Sequence, residues 1–143
     1  MSYFRILLVE DNPDHAQLIT DALRNEDPTV LVTHLASGQA ALNLLAASQQ
    51  GEEPKPHLIV MDVNMPGLTG IEVLSRIKRD DTLRVIPTVM LSTSTKESDI
   101  LSALTAHANS YAVKSSDFDA MERDLGSICS YWRISHHPPG EAA

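Results

Sequence analysis

Cysteine is nearly absent: Cys129 is the single one in 143 residues. No internal disulfide can form, which agrees with a reducing compartment. Cys129 falls inside a helical pattern, and that favours packing over redox chemistry. Basic residues are scarce too. Lys and Arg number 11 against 19 Asp and Glu, a formal charge of −8. No Lys/Arg run exists that could track a phosphate backbone, which argues against direct nucleic-acid binding. Long apolar runs are missing as well. The opening MSYFRILLVEDN reaches carboxylates before any apolar stretch long enough for a signal peptide, and no segment approaches a membrane span. A cytoplasmic protein without a membrane partner is therefore expected. No internal repeat or linker interrupts the chain, and its 43% hydrophobic content suits one domain with a substantial core.

What the chain does have is an alternation of strand-like and helix-like segments. Arg5–Val9 (RILLV) is a buried-strand pattern of the kind found in a parallel sheet, and Glu10 and Asp11 follow it. Asn12 and Pro13 read as helix cap and first helical residue. Ala16, Ile19 and Leu23, with His15, Leu18 and Ala22, then line one face of that helix until Asn25–Pro28. Val30–Leu35 alternates as a shorter strand, and Gln39–Ala47 is helical. Ser48–Pro56 reads as a loop. Leu58–Asp62 is a second buried strand that ends in a carboxylate, with Pro66 and Gly67 turning the chain straight afterwards. Ile71, Leu74 and Ile77 mark a third helix running out at Lys78–Asp81. Thr88–Leu91 is a strand ending in the hydroxyls Ser92, Thr93 and Ser94. Ser94 and Glu97 match a capping box, so the next helix is expected to start there. Ser110–Val113 is a short strand ending at Lys114. A last helix over about Asp117–Ile134 carries Phe118, Met121, Leu125, Ile128 and Trp132 on one stripe. The expected division is a domain over 1–135 and a disordered tail over 136–143.

Five strands alternating with five helices argue for a three-layer α/β domain around a parallel sheet with right-handed crossovers. In such a sheet all strand C-termini share one edge, so Glu10, Asp11, Asp62, Ser92 and Lys114 converge there. Three carboxylates in one crevice repel each other, and a divalent cation relieves that repulsion. Magnesium suits the set because it prefers oxygen ligands and keeps several waters. Asp11 and Asp62 are the expected direct ligands, Glu10 a ligand through water, and a backbone carbonyl just beyond Asp62 completes the set. Lys114 and Ser92 add a positive charge and a hydroxyl, which with the cation would neutralise the oxygens of a phosphoryl group. Asp62 is thereby the candidate nucleophile, forming an acyl phosphate.

The motifs LLVEDN (Leu7–Asn12), MDVNMPG (Met61–Gly67), PTVMLSTS (Pro87–Ser94) and SYAVK (Ser110–Lys114), in this order on successive strand ends, resemble the receiver domain of two-component response regulators over about Arg5–Ile134. The resemblance implies a doubly wound, flavodoxin-like sheet of order 2-1-3-4-5, with Asp62 as phosphoacceptor from a sensor histidine kinase. It implies magnesium bound by Asp11, Asp62 and the backbone carbonyl of Asn64. Ser92 matches the switch hydroxyl, Tyr111 the aromatic rotamer switch and Lys114 the phosphate-contacting lysine. A signalling protein is implied rather than an enzyme, with at most self-phosphorylation from small acyl phosphates and autodephosphorylation. A homodimer through the fourth helix, fifth strand and fifth helix is expected on the same grounds. The stretches DNPDHAQLI and CSYWRISHHPPG are similar to stand-alone receivers that partner bacterial phytochrome histidine kinases. One departure stands out: the family usually has a proline after the lysine, joined by a cis bond, and here it is Ser115. A non-proline cis bond costs about 2.5–4 kcal/mol, which leaves a trans bond open.

Each of these residues has a plainer reading. Glu10 and Asp11 could be solvated loop acids, Ser92 a turn residue, Tyr111 simply core, and Asn64 a turn former; position after buried strands is what favours the site. The six histidines show no metal-binding spacing. Two rival functions remain. An aspartate-nucleophile phosphohydrolase also uses a strand-end Asp and magnesium, but usually needs an acid two residues on, where this chain has Asn64. A degenerate receiver would bind partners without phosphorylation, and the intact set of Asp11, Asp62, Ser92 and Lys114 argues against it.

Overall fold

The computed structural model describes residues 3–115 and 117–135, with side chains to 133. The tail expected over 136–143, with His136 and His137, lies outside them. Five strands, β1 (Phe4–Val9), β2 (Val30–Leu35), β3 (Leu58–Asp62), β4 (Thr88–Ser92) and β5 (Ser110–Val113), alternate with five helices. These are α1 (Pro13–Glu26), α2 (Gly38–Gln49), α3 (Gly70–Arg79), α4 (Glu97–Thr105) and α5 (Phe118–Ser135). The strands form one parallel sheet in the order β2-β1-β3-β4-β5, as the resemblance implied. β3 and β4 are buried at every residue, which is why their sequences show no polar alternation.

The sheet is covered on both sides. Ile6, Leu8, Leu58, Val60, Val89 and Leu91 pack under α1 and α5, where Ile19, Leu23, Met121, Leu125 and Cys129 meet them. Leu7, Val9, Ile59, Met61 and Met90 face the other way, onto Leu45 of α2, Val73, Leu74 and Ile77 of α3, and Ala103 of α4. Burial, helped by the nearby Asp27 charge, pushes the Cys129 thiol up to about 11. It stays a protonated packing group, as expected.

Local chemistry sets the element ends. Asn12 caps α1, its side chain accepting from the amides of Asp14 and His15 at 2.9 and 3.1 Å. Thr69 and Glu72 form a reciprocal capping box at the start of α3, a pair the sequence reading passed over. The capping box expected from Ser94 and Glu97 does not form. Lys96 stands at the head of α4 with no side-chain cap bond: the helix starts at Glu97, and the Ser94 hydroxyl accepts from the Lys96 amide at 3.2 Å while donating to Asp99 Oδ2 at 2.5 Å. Ala103 is the one residue of α4 that is buried, against four in α3. Ser48 and Gln49, read as loop, extend α2, and the buried Ser48 hydroxyl donates to the Leu45 carbonyl at 2.6 Å. No cis peptide occurs among the described residues, so Lys114–Ser115 is trans.

Lys78, at the end of α3, donates to the carbonyls of Arg84 and Ile86, both at 3.0 Å, and to Asn109 Oδ1 at 2.9 Å. Asn109 Oδ1 also accepts from the Thr88 amide. Burial pushes the Lys78 ammonium down to about 8. It thus pins the entry to β4 to the exit of α4.

Gly70 has a steric reason to be glycine. A Cβ there would stand 2.1 Å from the Asp62 carbonyl oxygen and 2.9 Å from Val63 Cα. Both are backbone atoms that cannot swing aside, so α3 starts directly against the strand end. Gly70→Ala is expected to lower stability by at least about 1–3 kcal/mol, measured by urea denaturation. An unchanged midpoint would mean that α3 can shift without disturbing β3.

Candidate functional site

Side-chain alternation along the strands decides which groups can meet. Leu8, Val60, Leu91 and Ala112 face α1 and α5, while Val9, Met61, Met90 and Tyr111 face α2, α3 and α4. Carried to the strand ends, the same alternation sends Glu10, Asp62 and Lys114 to the α1–α5 side and Ser92 to the other.

On the first side the carboxylates come together. Glu10, Asp11 and Asp62 each offer an oxygen within 4.8 Å of the others. Glu10 is 1% exposed and Asp62 5%; Asp11 lies nearer solvent. Lys114 reaches across the strand ends into this group, its Nζ 2.5 Å from Glu10 Oε1 and 3.3 Å from Asp62 Oδ1. Its backbone amide donates to the Ser92 carbonyl at 2.7 Å. The Asn12 amide donates to Glu10 Oε2 at 3.2 Å. Glu10 Oε1 accepts no directed hydrogen bond, so its contact with Lys114 is one of charge.

Burial holds the Asp62 carboxyl above its usual 3.8; the Lys114 charge opposes this, and the Glu10 and Asp11 charges add to it. One lysine does not balance three acids. A buried oxygen without a hydrogen bond, in an all-oxygen set open toward Asp11, fits a hard divalent cation.

On the second side, hydroxyls and an aromatic ring form a chain. Ser92, 1% exposed, accepts from the Ser94 amide at 3.1 Å, and the Tyr111 hydroxyl donates to the Ser94 carbonyl at 3.0 Å. The Tyr111 ring packs partly buried against the α2–α4 core. Asn64 is exposed in the loop two residues past Asp62. The structure thus brings Glu10, Asp11, Asp62 and Lys114 into one cluster, and joins Ser92 to Tyr111 through Ser94.

Two histidines of this region were not singled out by sequence reasoning. His15 Nδ1 lies 3.2 Å from Lys114 Nζ, and His34 Nε2 lies 2.7 Å from the Glu10 carbonyl oxygen. His15 did carry a signal, because a helix capped directly after Glu10 and Asp11 must set its first turn beside them. His34 carried none, since its contact depends on β2 pairing in register with β1.

Comparison with known proteins agrees with this arrangement. The chain matches the response regulator receiver domain over residues 6–125. The "Probable methanogenesis regulatory protein FilR2" of Methanothrix harundinacea is 40% identical over 139 residues, 97% of this chain and 90% of that protein. Response regulator Rcp1 of Synechocystis sp. is 36% identical over 130 residues, 89% of this chain and 87% of that one. The crystal structure of Mn(2+)-bound Rcp1 superposes with a TM-score of 0.82 at 32% identity, covering 95% of this chain and 99% of that chain. The phosphorylated cyanobacterial phytochrome response regulator RcpA gives a TM-score of 0.86 at 34% identity, covering 97% and 100%. A 2-1-3-4-5 sheet with acids and a lysine gathered at its carboxyl edge, matched in sequence over most of its length, makes this chain a member of the response regulator receiver domain family.

Proposed function

We propose that the chain is a phosphoacceptor in which Asp62 takes a phosphoryl group from a sensor histidine kinase. The observation that carries this is the Lys114 ammonium held against Glu10 and Asp62 in a three-carboxylate cluster at the sheet edge. An Asp62 carboxylate oxygen attacks phosphorus, the P–N bond of the kinase phosphohistidine breaks, and its electron pair leaves with the imidazole, which takes up a proton. Asp11, Asp62 and the Asn64 backbone carbonyl would hold a magnesium ion, with Glu10 bonded through water. When bound, it supplies positive charge for the phosphoryl oxygens. Lys114 contributes charge on the α1–α5 side and Ser92 a hydroxyl from the other. Asn64 is a neutral amide too weakly acidic to protonate a leaving group, so the chemistry stops at the acyl phosphate rather than continuing as external phosphomonoester turnover.

The readout is a change of surface. Movement of Ser92 toward a phosphoryl group on Asp62 pulls on Ser94, and Ser94 holds Tyr111. The result is a two-state switch at α4, β5 and α5 biased by a charge event. Output passes through protein contacts or onward phosphoryl relay. We assign the kinase to the phytochrome type because RcpA, a phytochrome response regulator, covers 97% of the chain at 34% identity. No described helix is long and apolar enough to cross a membrane, which accords with a cytoplasmic place for this exchange.

Incubation with magnesium and a small acyl phosphate is expected to add one phosphoryl group by intact mass, and none without magnesium or in Asp62→Asn. If neither an adduct nor beryllofluoride binding is found, the chain is a phosphorylation-independent binding module. A second outcome follows from the raised Asp62 carboxyl, whose ionisation opposes folding in the metal-free protein. Asp62→Asn should be more stable than wild type at pH 7 without divalent ions, and the gap should shrink as pH falls, closing below 3.8, where Asp62 is protonated folded and unfolded. Magnesium should stabilise only wild type. Urea melts at several pH values read all three. Leu101 at 58%, Leu104 at 47% and Val113 at 39% exposure lie on α4 and the edge strand β5, and Tyr131 on α5 at 59%. They suit a second copy of this chain. Sedimentation should show dimerisation that Leu101→Glu weakens; a monomer at every concentration, with or without beryllofluoride, would remove the dimer.

A further inference from the structure

Lys114 has three ammonium protons and three neighbours: Glu10 Oε1, Asp62 Oδ1 and His15 Nδ1. The first two are carboxylate oxygens and the third a ring nitrogen. An ammonium can only donate, so His15 Nδ1 is the acceptor, and the ring carries its proton on Nε2. His15 also lines a cavity of about 260 Å³ between α1 and α5, with Leu18, Ile19, Phe118 and Met121 as its apolar walls and Lys114 at its edge.

These facts bear on a conflict within the site. A divalent cation among Glu10, Asp11 and Asp62 would cancel the attraction that holds Lys114, and at such distances like charges repel strongly. The ammonium must then give up Glu10 and Asp62, and while it stays on them it competes with the cation for their oxygens. His15 offers Lys114 a further acceptor, 3.2 Å from its Nζ, whose pull does not depend on the carboxylate charge. We propose that His15 is a positioning residue for Lys114: it retains the ammonium at the site edge when the carboxylates bind a divalent cation, and keeps it from competing for them. The proposal rests on the divalent-cation reading above.

The experiment is a calorimetric titration of the full chain with Mg2+ and with Mn2+, in wild type, His15→Leu, His15→Asn, Lys114→Met and the double variant His15→Leu with Lys114→Met. His15→Leu should weaken cation affinity about three- to tenfold, the scale of one ordinary net hydrogen bond. His15→Asn, which keeps an acceptor near the Nδ1 position, should restore it. In the Lys114→Met background, loss of His15 should change nothing, since there is no ammonium left to hold. Equal loss in both backgrounds would show His15 to be only a structural part of α1 and overturn the proposal, as would an unchanged affinity in His15→Leu. Urea melts of each variant distinguish these results from misfolding, and His15→Asn supplies the folded test if His15→Leu fails. If wild type binds neither cation, the metal reading itself falls and the proposal with it.

Discussion

Three acids at the end of one sheet are tolerable only because a lysine reaches them. Carboxylates taken out of water raise each other's cost of ionising, and Glu10 and Asp62 are nearly sealed from solvent. Lys114 compensates them, but β5 lies two strand steps from β3 and three from β1, at about 4.8 Å per step. A short side chain could not span that. The position therefore needs length and positive charge, and the amide of Lys114 must be fixed so that the length is aimed; its bond to the Ser92 carbonyl fixes it. The strand order, the loop after β5 and the first turn of α1 all serve this contact.

The sheet also separates two tasks by parity. Charge collects on the side of α1 and α5, where Glu10, Asp62 and Lys114 point. The hydroxyl and the aromatic ring belong to the side of α3 and α4, with Ser94 between them. The two faces thus meet at the carboxyl edge, where Asp62 and Ser92 end neighbouring strands. Gly70 narrows that edge further by letting α3 start against the Asp62 carbonyl.

Much of this was legible in the residues. Buried parallel strands announce themselves as unbroken apolar runs, so β1, β3 and β4 and the polar residues ending them could be placed within a residue. The acids and Lys114 followed from that placement. Strand order did not, because it depends on which strand pairs which; it came from the family resemblance. Local signals misled where two partners competed. Ser94 has the spacing of a cap with Glu97, but α4 starts at Glu97 itself, and the Ser94 oxygen accepts from the Lys96 amide instead. Thr69 and Glu72 do cap α3, a pairing lost behind the more conspicuous glycines. His15 looked like one more residue on a helical face, since its partner lies 99 positions away.

α4 fully buries only Ala103 and begins without a side-chain cap, whereas α3 carries both a capping box and four buried residues. Segments with few buried apolar contacts open and shift at low cost. Reversing a two-state balance from 1:99 to 99:1 takes about 5.5 kcal/mol, and a helix seated this lightly has little native packing to surrender in making the change. Under the proposed function, the looseness of α4 is a form of sensitivity: it would let a single bond made at the sheet edge set the shape of a surface that the bond never touches.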